Sequence, residues 1–130
     1  MNSVAGIARK GDRYFIARRV SGGAMGEKWE FPGGKAEEGE SDGEALVREY
    51  AEEFAVPIRV GEFLGTVSFV HQGQRRILNA YRIDFLKTCF SLNEHSEWRW
   101  ARAEEIETLD FVDSDRRLFG VLKTKNQPET

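Results

Sequence analysis

The sequence predicts an α+β fold, a sandwich of helices around a mixed β-sheet, on three observations. Short runs rich in apolar, β-branched and aromatic residues recur between turn signals. Two helical patterns lie segregated among them. A length of 130 residues with 40% hydrophobic content suits one domain with a single modest core. Val4–Ala8 reads as a strand, Gly11-Asp12 as a turn and Arg13–Arg18 as a second strand. Residues 21–26 form a loop, and Trp29–Phe31 is extended because Phe31 precedes Pro32. Pro32-Gly33-Gly34 is expected to break regular structure and let backbone approach a neighbour closely. Ser41 with Glu44 three residues on is a capping-box pattern that starts a helix over Asp42–Phe54, and Pro57 stops it. Arg59–Phe69, Arg76–Phe85 and Trp98–Ala101 read as strands, with Gln72-Gly73-Gln74 turning the first pair. A last amphipathic helix spans Ser114–Lys123, with Leu118, Val121 and Leu122 at helical spacing, before a frayed tail over Lys123–Thr130.

Composition narrows the function. Nine Phe, three Trp and three Tyr argue for a folded chain, and a net charge of −3 argues against a general nucleic-acid binder. The lone Cys89 cannot form an internal disulfide, which fits a reducing, cytoplasmic setting, and is expected as a small buried or strand residue. The N-terminal residues show no basic-then-apolar signal, and no apolar run approaches the roughly 18 residues of a membrane span, so no membrane partner is expected.

The acidic excess is concentrated between Glu37 and Glu53, where Arg48 is the one basic residue. On the first helix Leu46, Tyr50 and Phe54 share a core stripe, with Val47 and Ala51 expected beside it. Glu49, Glu52 and Glu53 gather in an arc of roughly 100° on another face. Glu49 repels Glu52 and Glu53 by about 0.2–0.5 kcal/mol per pair. All three sit late in the helix, where its dipole disfavours negative charge. Local stability does not put carboxylates there, whereas a hard divalent cation would. Taken alone, a solvated acidic face remains the alternative. Arg48 is then either a surface ion-pair partner or the fork that aims a ligating carboxylate.

The wider spacing bears on that choice. Gly34, Glu40, Arg48, Glu49, Glu52 and Glu53 fall on the pattern G-x5-E-x7-R-E-U-x-E-E-x-G-U, with Val56 at the last apolar position. This resembles the Nudix box. Tyr50 replaces the usual aliphatic residue and Ala55 the late glycine; if that position needs φ > 0, alanine costs about 1 kcal/mol. Residues 29–35, Trp-Glu-Phe-Pro-Gly-Gly-Lys, are similar to the run before the box in MutT-like nucleotide hydrolases, and Arg18-Arg19 ends the second strand as it does there. Residues 94–100 resemble the family's E-H-x-x-x-x-W segment, and residues 109–115 the segment whose last acidic or amide residue reads the base.

The resemblance covers nearly the whole chain and implies a single Nudix domain over residues 1–130 with an α/β/α sandwich. It implies a Mg²⁺-dependent hydrolase, Mn²⁺ being a substitute, in which Glu52 and Glu53 ligate directly, Glu49 is a third ligand and the carbonyl of Gly33 or Gly34 completes the shell. Glu40 is structural, near the helix start. Glu94 is the first candidate for general base and Glu53 the second, while His95 is structural or superficial. Arg19 and Lys35 hold phosphate oxygens or a base edge, Phe31 lies against the base, and Asp115 either caps the last helix or accepts from base donors. Phe69, Trp98 and Trp100 are core residues. The implied reaction is hydrolysis of a nucleoside triphosphate, such as an oxidised dGTP or a cytidine nucleotide, to monophosphate and pyrophosphate by a monomer or homodimer. ADP-ribose or dinucleoside polyphosphate cleavage is the enzymatic alternative, and a non-catalytic nucleotide sensor the other.

Overall fold

A computed structural model describes residues 2–23 and 25–126. Its elements in order are β1 (Ser3–Ile7), β2 (Arg9–Lys10), β3 (Arg13–Arg19), β4 (Trp29–Glu30), β5 (Gly33–Lys35), α1 (Asp42–Phe54), β6 (Ile58–His71), β7 (Gln74–Phe85), β8 (His95–Arg102), α2 (Ala103–Thr108) and α3 (Asp113–Asn126). The expected tail lies outside the described residues from position 127; residues 123–126 continue α3.

Two four-stranded sheets form. One has the order β5-β1-β7-β6, with β1 parallel to β7 and the other pairs antiparallel. In the other, β3 pairs antiparallel with β2, β4 and β8. Side chains alternate across a strand, and here they alternate between two cores. Val4, Phe15 and Ala17 join Ala45, Leu46, Tyr50 and Phe54 beneath α1. Ala5, Tyr14 and Ile16 join Ile106, Leu118, Phe119 and Leu122 beneath α2 and α3. The result is the expected helix–sheet–helix layering.

Several expectations need correction. Gly33–Lys35 is not a break but a strand, because Val4 and Ala5 of β1 pair with Gly34 and Gly33. Val47 and Ala51 are exposed, since the buried face of α1 extends from the Leu46–Tyr50–Phe54 stripe toward Ala45 and Glu53 instead. Cys89 is exposed in the connection between β7 and β8. Trp98 lies at the surface and Trp100 is half-buried, both edging the aromatic cluster around Phe15. The helix α2 carries too few residues to show a period in the sequence.

Local chemistry fixes α1. Ser41 Oγ accepts from the Glu44 N–H at 3.1 Å, and the Glu44 carboxylate accepts from the Ser41 N–H at 2.9 Å. Asp42 accepts from the Asn79 amide and the Tyr81 hydroxyl, tying the helix start to β7. At the far end Ala55 adopts φ 53°, ψ 39°, the left-handed conformation that the missing glycine would favour. The hairpin β6–β7 turns on Gln72 (φ 51°) and Gly73 (φ 77°), a two-residue connection with both central residues at positive φ. Among the described residues no helix is long and apolar enough to cross a membrane.

Candidate active site

The site begins with how the chain brings β5 under α1. Tyr50 is fully buried, and its hydroxyl lies 3.0 Å from the Pro32 carbonyl and 3.1 Å from that of Gly6, so one donor pins both segments to the helix. Burial, then the neighbouring carboxylates, holds that phenol well above its ordinary range, and it remains a donor. A Cβ on Gly33 would fall 1.9 Å from the Val4 carbonyl oxygen, and one on Gly34 would fall 2.5 Å from the Glu49 carboxyl carbon. Only glycine permits this approach.

Arg48 organises the outer carboxylates. Its Nε and Nη2 donate to the two oxygens of Glu40 at 2.8 and 3.0 Å, its Nη2 to the Lys35 carbonyl at 3.0 Å and its Nη1 to Glu49 at 2.7 Å. The guanidinium hydrogen bonds hold the Glu40 carboxyl down to about 2. Arg48 thus links the start of the box to its helix and aims Glu49 at Gly34.

The connection before β8 then closes over the end of α1. Ser91 N–H donates to the Phe54 carbonyl, Asn93 N–H to that of Glu53 and the Asn93 amide to that of Glu52, at 2.9, 3.1 and 2.9 Å. These donors satisfy carbonyls that a helix end leaves open and deliver Glu94 to the acidic face. Oxygens of Glu49, Glu53 and Glu94 lie within 4.8 Å of one another. Glu52 is not part of this group: its side chain is 55% exposed and lies 3.4 Å from Arg48, because it faces outward on the helix. Glu53 is buried, and its Oε2 has no hydrogen-bond partner. Burial, then the charges of Glu30, Glu49 and Glu94, pushes its carboxyl up to about 10. Burial also raises Glu49, against the pull of Arg48. An unpaired buried carboxylate among mutually repelling ones is the oxygen donor set that a hard divalent cation takes. The residues fit such an ion.

Beside this group lies a second set absent from the sequence expectations as a site. Glu30 Oε1 accepts from Arg19 at 3.1 Å, and Glu30 Oε2 lies 2.7 Å from His95 Nε2. His95 is buried rather than superficial, stacked on Phe54 at 5.1 Å and 10°. Cross-strand pairing assembles the set: Arg19 faces His95 between β3 and β8, and Ala17 faces Glu30 between β3 and β4. One glutamate in a two-residue strand carries no local sequence signal.

Arg19 also lines an adjoining pocket with Phe31, Phe69, Leu78 and Asp115. Asp115 is not a helix cap; it lies in the first turn of α3, buried, and its Oδ2 accepts the Phe31 N–H at 2.8 Å. Burial, then the charge of Glu30, pushes its carboxyl up to about 8, with the Phe31 and Ser114 hydrogen bonds and Arg19 opposing. Phe31 is 2% exposed and its ring packs on Tyr14, Phe111 and Phe119, so it belongs to the core and borders the pocket from there. Phe69, expected in the core, is partly buried: it packs against the core of Tyr14 and Leu118 and also lines the pocket. At its outer rim stand Lys35, Arg76 and Arg117, with a buried Arg76 Nε that has no partner.

The chain is 33% identical over 116 residues to a Mycobacterium tuberculosis protein provisionally named 8-oxo-dGTP diphosphatase 2, covering 87% of this chain and 81% of that one. It is 31% identical over 116 residues to the CTP pyrophosphohydrolase of Escherichia coli K12, covering 89% and 86%. Its fold superposes on the solution structure of the E. coli ORF135 protein with a TM-score of 0.84 at 29% identity, over 98% and 94% of the two chains. The family model of the NUDIX domain matches residues 2–120, and with the box residues gathered as described the chain belongs to the Nudix family, as a MutT-like hydrolase of acid anhydrides.

Proposed function

We propose that this protein hydrolyses a nucleoside triphosphate to the monophosphate and pyrophosphate, using a divalent cation, Mg²⁺ or Mn²⁺. The observation that carries this reading is the convergence of Glu49, Glu53 and Glu94 beside a pocket that Arg19 shares with Asp115. Glu49, Glu53 and Glu94, with the Gly34 carbonyl, would hold the cation, and Glu52 remains available at the rim. When bound, the cation neutralises phosphate oxygens and acidifies water. Arg48 holds Glu49 in direction, and Arg19 and Lys35 bind phosphate oxygens. Water attacks a phosphorus of the anhydride, the bridging P–O bond breaks, pyrophosphate leaves, and the proton passes to Glu94. Glu94 suits that role because it is the exposed member of the trio and Glu53 the buried one.

Base selection falls to the adjoining pocket. Asp115 accepts from N–H donors of the base, which favour its ionised form as the Phe31 N–H does, while Phe69 supplies a ring face. Arg76 and Arg117 meet acceptors on the same base. A base with both donors and acceptors fits, which is true of cytosine and of guanine or its oxidised form. The names of the M. tuberculosis and E. coli relatives support those two classes.

The test is a nucleotide panel with Mg²⁺, reading pyrophosphate against phosphate. Pyrophosphate release from a cytidine or guanine triphosphate, lost at least 100-fold in Glu53→Gln, is the expected result. Release of phosphate alone, or a Glu53→Gln variant with full activity, overturns it.

A further inference from the structure

We propose that Glu30 is a positioning residue that commits the His95 Nε2–H to itself and so keeps Glu53 unpaired for a divalent cation; this rests on the cation reading above. His95 Nε2 lies between two carboxylates, 2.7 Å from Glu30 Oε2 and 3.7 Å from Glu53 Oε1. A carboxylate accepts and does not donate, so the short contact to Glu30 places the ring proton on Nε2. The other nitrogen agrees: Nδ1 is buried with no partner, a position that a bare acceptor tolerates better than an orphaned N–H. The ring cannot turn freely, because it is stacked on Phe54 and its side chain is 2% exposed. Glu53 therefore faces a ring whose single donor is already taken, and its own Oε2 stays without a hydrogen bond.

The second oxygen of Glu30 accepts from Arg19, which lines both the carboxylate pocket and the base pocket. One carboxylate thus fixes the arginine that meets substrate and the histidine that borders the cation ligand. Removing it frees the Nε2–H, and the nearest remaining acceptor is Glu53. A hydrogen bond from His95 to Glu53 Oε1 then competes with the cation for the Glu53 carboxylate.

Two measurements test this. In protein carrying ¹⁵N-labelled histidine rings and no metal, the wild-type nitrogen shifts should show His95 protonated at Nε2 and bare at Nδ1. In Mn²⁺ titrations followed by electron paramagnetic resonance, Glu30→Ala should weaken binding at least tenfold. The double variant Glu30→Ala/His95→Phe should recover to within threefold of wild type, because phenylalanine keeps the stack on Phe54 and offers Glu53 no donor. A merely structural Glu30 predicts a double variant at least as weak as the single one. Protonation at Nδ1, unchanged Mn²⁺ binding in Glu30→Ala, or no recovery in the double variant overturns the inference. Wild-type protein that binds no Mn²⁺ overturns the cation reading itself. Should Glu30→Ala not fold, the wild-type nitrogen shifts decide the matter.

Discussion

At the scale of single residues, buried carboxyl groups dominate the behaviour of the site. Asp115 faces the Glu30 carboxylate and the Arg19 guanidinium from the neighbouring strands, with the Phe31 N–H and Ser114 hydroxyl against it. Its folded value near 8 lies above the ordinary one, so between about pH 4 and 8 the native state holds a proton that the unfolded chain has released. Stability therefore falls as pH rises through that window, by up to about 1.4 kcal/mol per pH unit from this group. Asp115→Asn keeps an oxygen for the Phe31 N–H and removes the proton. Urea midpoints measured from pH 5 to 9 should show a shallower slope in the variant and a more stable protein at pH 8; parallel curves would contradict the burial argument. The sequence showed Asp115 as a candidate through its place in a family segment. Glu30 was not legible, because its role arises from His95, far away in the chain, and Arg76 reads in the sequence as one more charged residue of a strand.

At the scale of elements, α1 was the most readable part of the molecule. Its limits matched the expectation because the capping box and Pro57 are local signals. Its ligand set was less readable: helical spacing puts Glu49, Glu52 and Glu53 on one arc, but only the sheet below decides which of them face inward. Glu94 enters through hydrogen bonds from a connection with no period of its own. Ala55→Gly should stabilise the protein by about 0.5–1 kcal/mol, since φ 53° strains alanine and suits glycine at a helix end. Denaturant midpoints check it, and a loss of stability would show that the strain is absorbed elsewhere. The two glycines of β5 should differ sharply. Gly33→Ala drives a Cβ into the Val4 backbone and should cost about 3 kcal/mol or prevent folding. Gly34→Ala meets the movable end of Glu49, so it should fold and lose cation affinity instead. Thermal unfolding together with Mn²⁺ titration separates the two effects.

At the scale of the whole molecule, burial and the neighbouring carboxylates push Glu53 up to about 10, so near neutral pH the folded chain holds a proton that the unfolded chain releases. This is a cost of folding that a bound cation offsets by taking the ionised form. Mg²⁺ at 100 times its dissociation constant should raise stability by about 2.7 kcal/mol. Glu53→Gln should start from a higher melting temperature without metal and gain little when Mg²⁺ is added. Scanning calorimetry with and without the ion reads both, and an equal Mg²⁺ shift in the two proteins would place the cation elsewhere. The layered architecture was legible from alternating strands and two helical patterns, whereas the division into two sheets was not, because strand order depends on pairing between segments far apart in the chain. That division puts the acidic helix on the core of Phe15, Leu46, Tyr50 and Phe54, and Asp115 on the core of Tyr14, Phe31, Leu118 and Phe119. Mutations that reshape the proposed nucleobase pocket on the Asp115 side can therefore accumulate over generations without disturbing the carboxylates, provided Arg19 and Glu30, which border both, are kept. A lineage built on this scaffold is free to explore new nucleotides while its hydrolytic chemistry stays inherited.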